Sequence, residues 1–244
     1  MTSAALPPGV VAFAERLVAL GWVRDLWVAG SLSTGDYVPD LSDLDLVAVS
    51  DGSVDPARVE TLVRLHRELD AAEAAGTDLG CVYLDEGRLL DRSARHPTWT
   101  HGSLVERILS GVTRAELARS GFAVFGRPPA EVVPVATDDD VRRAARDELT
   151  GYWAWASRRP LMWLSPVIAD LGLTSMARGR HALATGELLT KSRAIEAAAA
   201  PAWLRAQLRA RRRGEAVRSP RVRAGWFAWR DARRTVRSAR NQPP

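Results

Sequence analysis

The sequence predicts an α/β domain followed by an all-helical one. Three observations lead there. Short apolar strands alternate with helical periodicity only up to about residue 126. A segment with three prolines, RPPAEVVPVATDDD, then interrupts the pattern. From there to the end, apolar residues recur at helical spacing. The expected organisation is a mixed β-sheet flanked by helices over residues 1–136 and a helical bundle over 137–244.

Taken in order, GVVAFAERLVAL (9–20) predicts a helix stopped by Gly21, and VRDLWVAGS a short strand closing on Gly30. The polar stretch LSTGDYVPDLS reads as a loop, and LDLVAVS (44–50) as a second strand. Residues 55–75 predict a long amphipathic helix with Val59, Leu62, Val63, His66 and Leu69 on one face. His66 on that face reads as a satisfied core histidine. LGCVYL (79–84) is a third strand, 103–120 a helix interrupted near Gly111, and FAVFG (122–126) a fourth strand. Asp138–Asp140 suit the positive end of a helix dipole. Trp153, Trp155 and Trp163 are expected to pack between helices of the second domain.

Composition removes several function classes. With 46% hydrophobic and 26% charged residues, the chain is ordinary globular protein. The single Cys81 excludes a disulfide framework and a cysteine zinc cluster. His96 and His101 lie five apart around a proline, a spacing that suits no common metal site. No apolar run is long enough for a membrane span, and MTSAALPPGVVAFAERL lacks the basic start of a secretory signal. A cytoplasmic protein without membrane partners is expected. The net charge of +5 hides an asymmetry: residues 201–244 hold 13 arginines against Glu215 and Asp231, so the rest of the chain is acidic. Lys191 is the only lysine among 34 basic residues, so arginine abundance alone is no sign of nucleic-acid binding.

The chemistry concentrates in WVAGSLSTGDYVPDLSDLDLVAV (27–49). Strand alternation puts Asp43 and Asp45 on one face and Leu44 and Leu46 on the other. Two carboxylates side by side repel unless a cation lies between them, and hard oxygen ligands of this kind suit Mg²⁺ shared with substrate phosphates. Gly30 allows a close backbone approach to a phosphate, and Ser31 adds a hydroxyl donor. A third carboxylate, Asp78, opens the next strand. Three carboxylates on neighbouring strands suit two-metal phosphoryl transfer, the third binding metal or taking the proton of an attacking hydroxyl.

On these residues the chain resembles the nucleotidyltransferases of the DNA polymerase beta superfamily. Their motif, an apolar residue followed by Gly-Gly or Gly-Ser, a spacer, then Asp-x-Asp on a strand, is met by WVAGS and SDLDLV. The order of elements is similar to that of the streptomycin/spectinomycin adenylyltransferases. TDLGCVYLDE (77–86) lines up with the strand that carries their catalytic glutamate, with Asp78 at that position. ARGRHALATGELLTKSRAIEAA (177–198) resembles their segment with an arginine, a Thr-Gly and a lysine that contact nucleotide phosphates, here Arg178 and Lys191. AVFGRPP resembles the end of their first domain.

The resemblance implies a catalytic domain over 1–136 and a helical domain over 137–244 that closes the nucleotide and acceptor cleft. It implies ATP as co-substrate and two Mg²⁺ ions held by Asp43, Asp45 and Asp78. Gly30, Ser31, Ser42, Arg178 and Lys191 would position the triphosphate, and Asp78 would activate the acceptor hydroxyl. The implied acceptor is an aminoglycoside-like small molecule, with Trp99 and Asp170 as its candidate contacts, and the protein is expected to be a monomer. The segment WASRRPLMWLSPVIAD (155–170) departs from the pattern, with Arg158, Arg159 and one acid where a polycation needs anionic walls. A protein or other non-drug acceptor is one alternative. Another is nucleic-acid binding by the arginine-rich end, where Trp226, Phe227 and Trp229 interleave with arginine. The favoured reading of that end is a pair of amphipathic helices with Leu204, Leu208, Trp226, Trp229 and Val236 facing the core.

Overall fold

A computed structural model describes residues 6–241 of the chain. Helix α1 (Pro8–Leu20) begins on prolines, whose missing N–H is no loss in a first turn, and stops at Gly21 in the left-handed region, φ 75°. Then follow β1 (Val23–Val28), a single helical turn α2 (Gly30–Ser33), β2 (Leu44–Ser50), α3 (Pro56–Ala71) and β3 (Leu79–Asp85). Next come β4 (Arg95–Thr100), β5 (Ser103–Ile108), α4 (Gly111–Ser120), β6 (Phe122–Phe125) and the short α5 (Pro129–Val132). The strands form one mixed sheet in the order β5-β4-β3-β2-β1-β6. Only β2 and β3 pair in parallel, which is why the connection between them is the long helix α3.

The expected helix over 103–120 is corrected at its first half. Residues 103–108 are β5, paired with β4, a strand the sequence reading had not marked. A two-residue turn joins them, with His101 at φ 47° and Gly102 at φ 73°. Two successive positive φ angles give the turn whose twist matches a hairpin. A histidine in the first of these positions is an unfamiliar signal, and the alternation of SLVERI is short enough to pass for helical spacing. The expected loop after Gly30 also contains a helical turn, α2.

Strand alternation divides the sheet's two faces. Leu44, Leu46 and Ala48 join Phe13 and Leu17 of α1 and Leu62 and Leu69 of α3 in one core. Val47 and Val49 face the other way, into a core with Trp27 and Leu117 of α4. His66 is fully buried, with Nε2 2.7 Å from the Tyr83 hydroxyl and its ring stacked 4.7 Å from Trp99. Burial pushes its pKa down to about 3. The unfolded chain therefore takes up a proton below the ordinary value of 6.5 and the folded one does not. Stability is expected to fall between pH 7 and pH 5, by about 2 kcal/mol from this group. Urea unfolding at both pH values, with His66→Gln as the comparison, checks it: the variant should show a flatter dependence.

The end of β6 is tied to β1 by an ion pair. The Asp25 carboxylate, 1% exposed, accepts from the Arg127 backbone N–H at 2.6 Å and from Nη2 at 2.6 Å. Glu86 takes Nη1 at 2.8 Å. These two carboxylates, Asp25 first, raise the arginine's pKa. Gly126 has to be glycine, because a Cβ there would stand 2.4 Å from the Arg24 carbonyl oxygen. Arg127→Ala would leave a buried carboxylate without its cation, and a loss of about 3 kcal/mol in unfolding free energy is expected. Asp25→Asn should cost less, since the half-exposed guanidinium keeps Glu86 and water.

The chain divides into compact units Met1–Val135 and Ala136–Pro244. In the second, Thr137 and Asp140 form a reciprocal cap on α6 (Asp138–Glu148). A π-helical turn (Leu149–Trp153), α7 (Ala154–Ala156) and a 3₁₀ turn (Pro160–Leu164) lead to α8 (Pro166–Thr185). The unit is completed by α9 (Lys191–Ala197), α10 (Ala202–Arg212) and α11 (Arg221–Asn241). Trp163 is clamped between Gly172 of α8 and Gly225 of α11, where any Cβ would collide with it at 2.3 Å. Trp153 is buried with it, whereas Trp155 is exposed and stacked under Arg159. The arginine-rich end folds as the two amphipathic helices expected, with Leu204, Leu208 and Val236 in the core. Trp226 is a correction: it is 46% exposed and lies under Arg230. Among the described residues, no helix is long and apolar enough to cross a membrane.

Candidate active site

The site is built at the start of β2. Asp43 and Asp45 are exposed while Ser42, Leu44 and Leu46 between and beside them are buried. The two carboxylates continue the face of Val47 and Val49, beyond the part of that face the core fills. Ala29 donates its N–H to the Asp45 carbonyl at 2.8 Å, which brings the end of β1 and the α2 turn beside β2.

Gly30 sits at φ 60°, and a Cβ on it would lie 2.1 Å from Asp45 Oδ2 and 2.9 Å from its Cγ. The Asp45 carboxylate therefore rests on the bare Cα of Gly30. The next side chain, Ser31, is 8% exposed, and its Oγ has no hydrogen-bond partner among the described residues. A buried hydroxyl without a partner is costly unless a ligand completes it. Ser42 Oγ accepts from the Val38 N–H at 3.0 Å and so closes the loop that leads into the aspartates. Gly30, Ser31, Ser42, Asp43 and Asp45 are thus brought together.

Asp78 stands beside Asp43 in the parallel register that pairs Leu44 with Leu79, and its carbonyl accepts from the Leu44 N–H at 2.9 Å. Its carboxylate, however, is 2.7 Å from His101 Nδ1. Among the described residues, no three of His, Cys, Asp and Glu are grouped so as to hold a metal ion. The pair Asp43 and Asp45 fits a hard cation by its chemistry, and Asp78 does not complete a three-carboxylate group with them. His101 was missed in the sequence because it belongs to the β4–β5 turn, itself unrecognised there.

In the second unit, Arg178 Nε donates to the Leu189 carbonyl at 2.9 Å. That contact fixes Arg178 of α8 beside the start of α9, where Lys191 is the first residue after the Thr190 cap. The contact ties Arg178 to the segment that leads into Lys191. Both acceptor candidates already have partners within the protein. Trp99 is 2% exposed, stacked on His66, with Nε1 donating to Asp70 at 3.3 Å, so it is a core residue that a ligand does not reach. Burial, and secondarily the nearby Asp78, raises the pKa of Asp70. Asp170 is held by Arg211 through Nε at 2.6 Å and Nη2 at 2.9 Å, which neutralises the charge a cationic acceptor would need. Burial raises its pKa against the pull of that arginine.

Residues 11–79 match the nucleotidyltransferase domain family. This stretch is similar to a nucleotidyltransferase domain. The matched stretch runs from α1 to the first residue of β3 and contains Gly30, Ser31, Ser42, Asp43, Asp45 and Asp78. No curated protein matches the chain. Among solved structures, the chain is similar to spectinomycin adenyltransferase AAD(9) from Enterococcus faecialis, crystallised with ATP and spectinomycin. The two share 15% identity with a TM-score of 0.70, over 93% of this chain and 98% of that one. At this identity the likeness is one of fold.

Proposed function

We propose that the protein transfers AMP from ATP to a hydroxyl of a small-molecule acceptor and releases pyrophosphate. The observation that carries this reading is the Asp45 carboxylate on the Cα of Gly30, beside the buried Ser31 hydroxyl that has no partner among the described residues. Ser31 donates to a phosphate oxygen, and Arg178 and Lys191 supply cationic charge for the phosphates. Asp43 and Asp45 hold Mg²⁺, which when bound supplies charge neutralisation on the phosphates. Asp78 takes the acceptor's proton as its oxygen attacks the α-phosphorus, and the bond from that phosphorus to the β-phosphate oxygen breaks. The 2.7 Å contact with His101 holds the Asp78 carboxylate in orientation before the acceptor binds. A nucleotide-using enzyme with one buried cysteine suits the cytoplasm.

The likeness to an enzyme crystallised with spectinomycin supports an aminoglycoside-like acceptor. The Asp170–Arg211 pair favours a second reading, an acceptor that is not a polycation. Transfer of label from α-labelled ATP, with Mg²⁺, to streptomycin, spectinomycin and a wider aminoglycoside panel separates them. Labelled drug that disappears in Asp43→Asn supports the first reading. Without labelled drug, Mg²⁺-dependent ATP binding that needs Asp43 keeps the nucleotidyl transfer and discards the drug. Absence of both transfer and Mg²⁺-dependent nucleotide binding overturns the proposal.

A further inference from the structure

The second unit holds a concavity of about 650 Å³ that the reaction above does not use. Arg158 enters it from the segment after α7, and Arg233, Arg237 and Arg240 enter from the last turns of α11. Ser157 and Trp229 form part of its wall, and among the described residues no acidic one lines it. The wall is fixed: Trp229 Nε1 donates to the Ser157 carbonyl at 2.9 Å, and the Arg233 guanidinium stacks 5.0 Å from the indole centroid.

The arrangement contrasts with other arginines of the unit. Arg180 is paired with Asp231 at 2.8 Å and Arg211 with Asp170 at 2.6 Å. Asp231, the one acid of α11, is 1% exposed and engaged by Arg180 and Arg234. Among the described residues, none of the four arginines in the concavity takes part in an ion pair. Arginine keeps its charge at any physiological pH, so the four repel one another. The negative end of the α11 dipole accounts for Arg240 in the last turn. It does not account for Arg233, two turns earlier, or for Arg158, on a different segment. A multivalent anion relieves the repulsion of all four at once, and arginine forks match phosphate oxygens. The cavity volume is in the range of small-ligand sites.

We propose that this concavity is an anion site for a ligand carrying two or more phosphate groups, gripped by Arg158, Arg233, Arg237 and Arg240. Arg233 already covers the Trp229 ring, so recognition is of phosphate charge and not of a stacked base.

The test is calorimetric titration with tripolyphosphate in metal-free buffer containing chelator. Wild type should bind, and the double variant Arg237→Ala, Arg240→Ala should bind at least ten-fold more weakly with an unchanged melting temperature, since both side chains are exposed. Arg221→Ala, an exposed arginine of the same helix outside the concavity, should bind as wild type does, which separates this site from general loss of charge. No binding to wild type, an unchanged affinity in the double variant, or an equal loss in Arg221→Ala overturns the proposal. A parallel titration with a single-stranded oligonucleotide of about twelve nucleotides identifies the source of the phosphates. Tighter binding than tripolyphosphate, lost in the double variant, assigns a nucleic-acid backbone. Weaker or no binding assigns a free oligophosphate.

Discussion

Asp45→Asn is expected to lower nucleotidyl transfer by about 10³-fold or more while leaving the melting temperature where it is. Asparagine has the shape of aspartate, so it fits against the Cα of Gly30 as the native side chain does. The position is exposed, so no buried charge is stranded by the change. What disappears is one of the two carboxylates proposed to hold Mg²⁺. Metal charge stabilisation in phosphoryl transfer is worth several kcal/mol, and about 4 kcal/mol corresponds to about 10³-fold in rate. Single-turnover transfer from labelled ATP measures it. A variant that keeps more than about a tenth of the wild-type rate would remove Asp45 from the catalytic set.

Gly30→Ala is expected to cost as much activity for a different reason, and to cost stability as well. The new Cβ would stand 2.1 Å from Asp45 Oδ2, so the carboxylate has to leave its place. The backbone at φ 60° adds about 1–2 kcal/mol of strain for any side chain. The variant should therefore melt earlier and transfer little. The two sites act through one contact, so their effects should not add. Combining Gly30→Ala with Asp45→Asn should lose little more activity than either change alone. Full activity in Gly30→Ala would show that the carboxylate's seat on this glycine has no part in the reaction.

Much of this site could be read from the sequence because its determinants are local. Asp43 and Asp45 share a face by strand alternation alone, and the apolar residues between them require that alternation. Gly30-Ser31 after an apolar strand is a short-range signal, and so is the cap that starts α6. The β4–β5 hairpin was hidden because its turn depends on positive φ at His101, which residue type does not announce. Without that hairpin the partner of Asp78 could not be foreseen. The partners of Trp99 and Asp170 were hidden for a related reason. A tryptophan or an aspartate has the same letter whether it faces a ligand or is taken up by His66 or by Arg211.

The sequence by itself determined the main helices and strands outside α2 and the β4–β5 hairpin, the face that carries the strand aspartates and the division between a sheet-bearing first half and a helical second half. These follow from periodicity and from residues close together in the chain. Only the tertiary structure decided that the Asp45 carboxylate rests on Gly30, that Asp78 turns to His101, that Asp170 is neutralised, and that four arginines from two segments meet around one concavity. Those facts join residues far apart in the chain. Their energies depend on which charges and surfaces packing brings within a few ångströms, and local propensity carries no information about that.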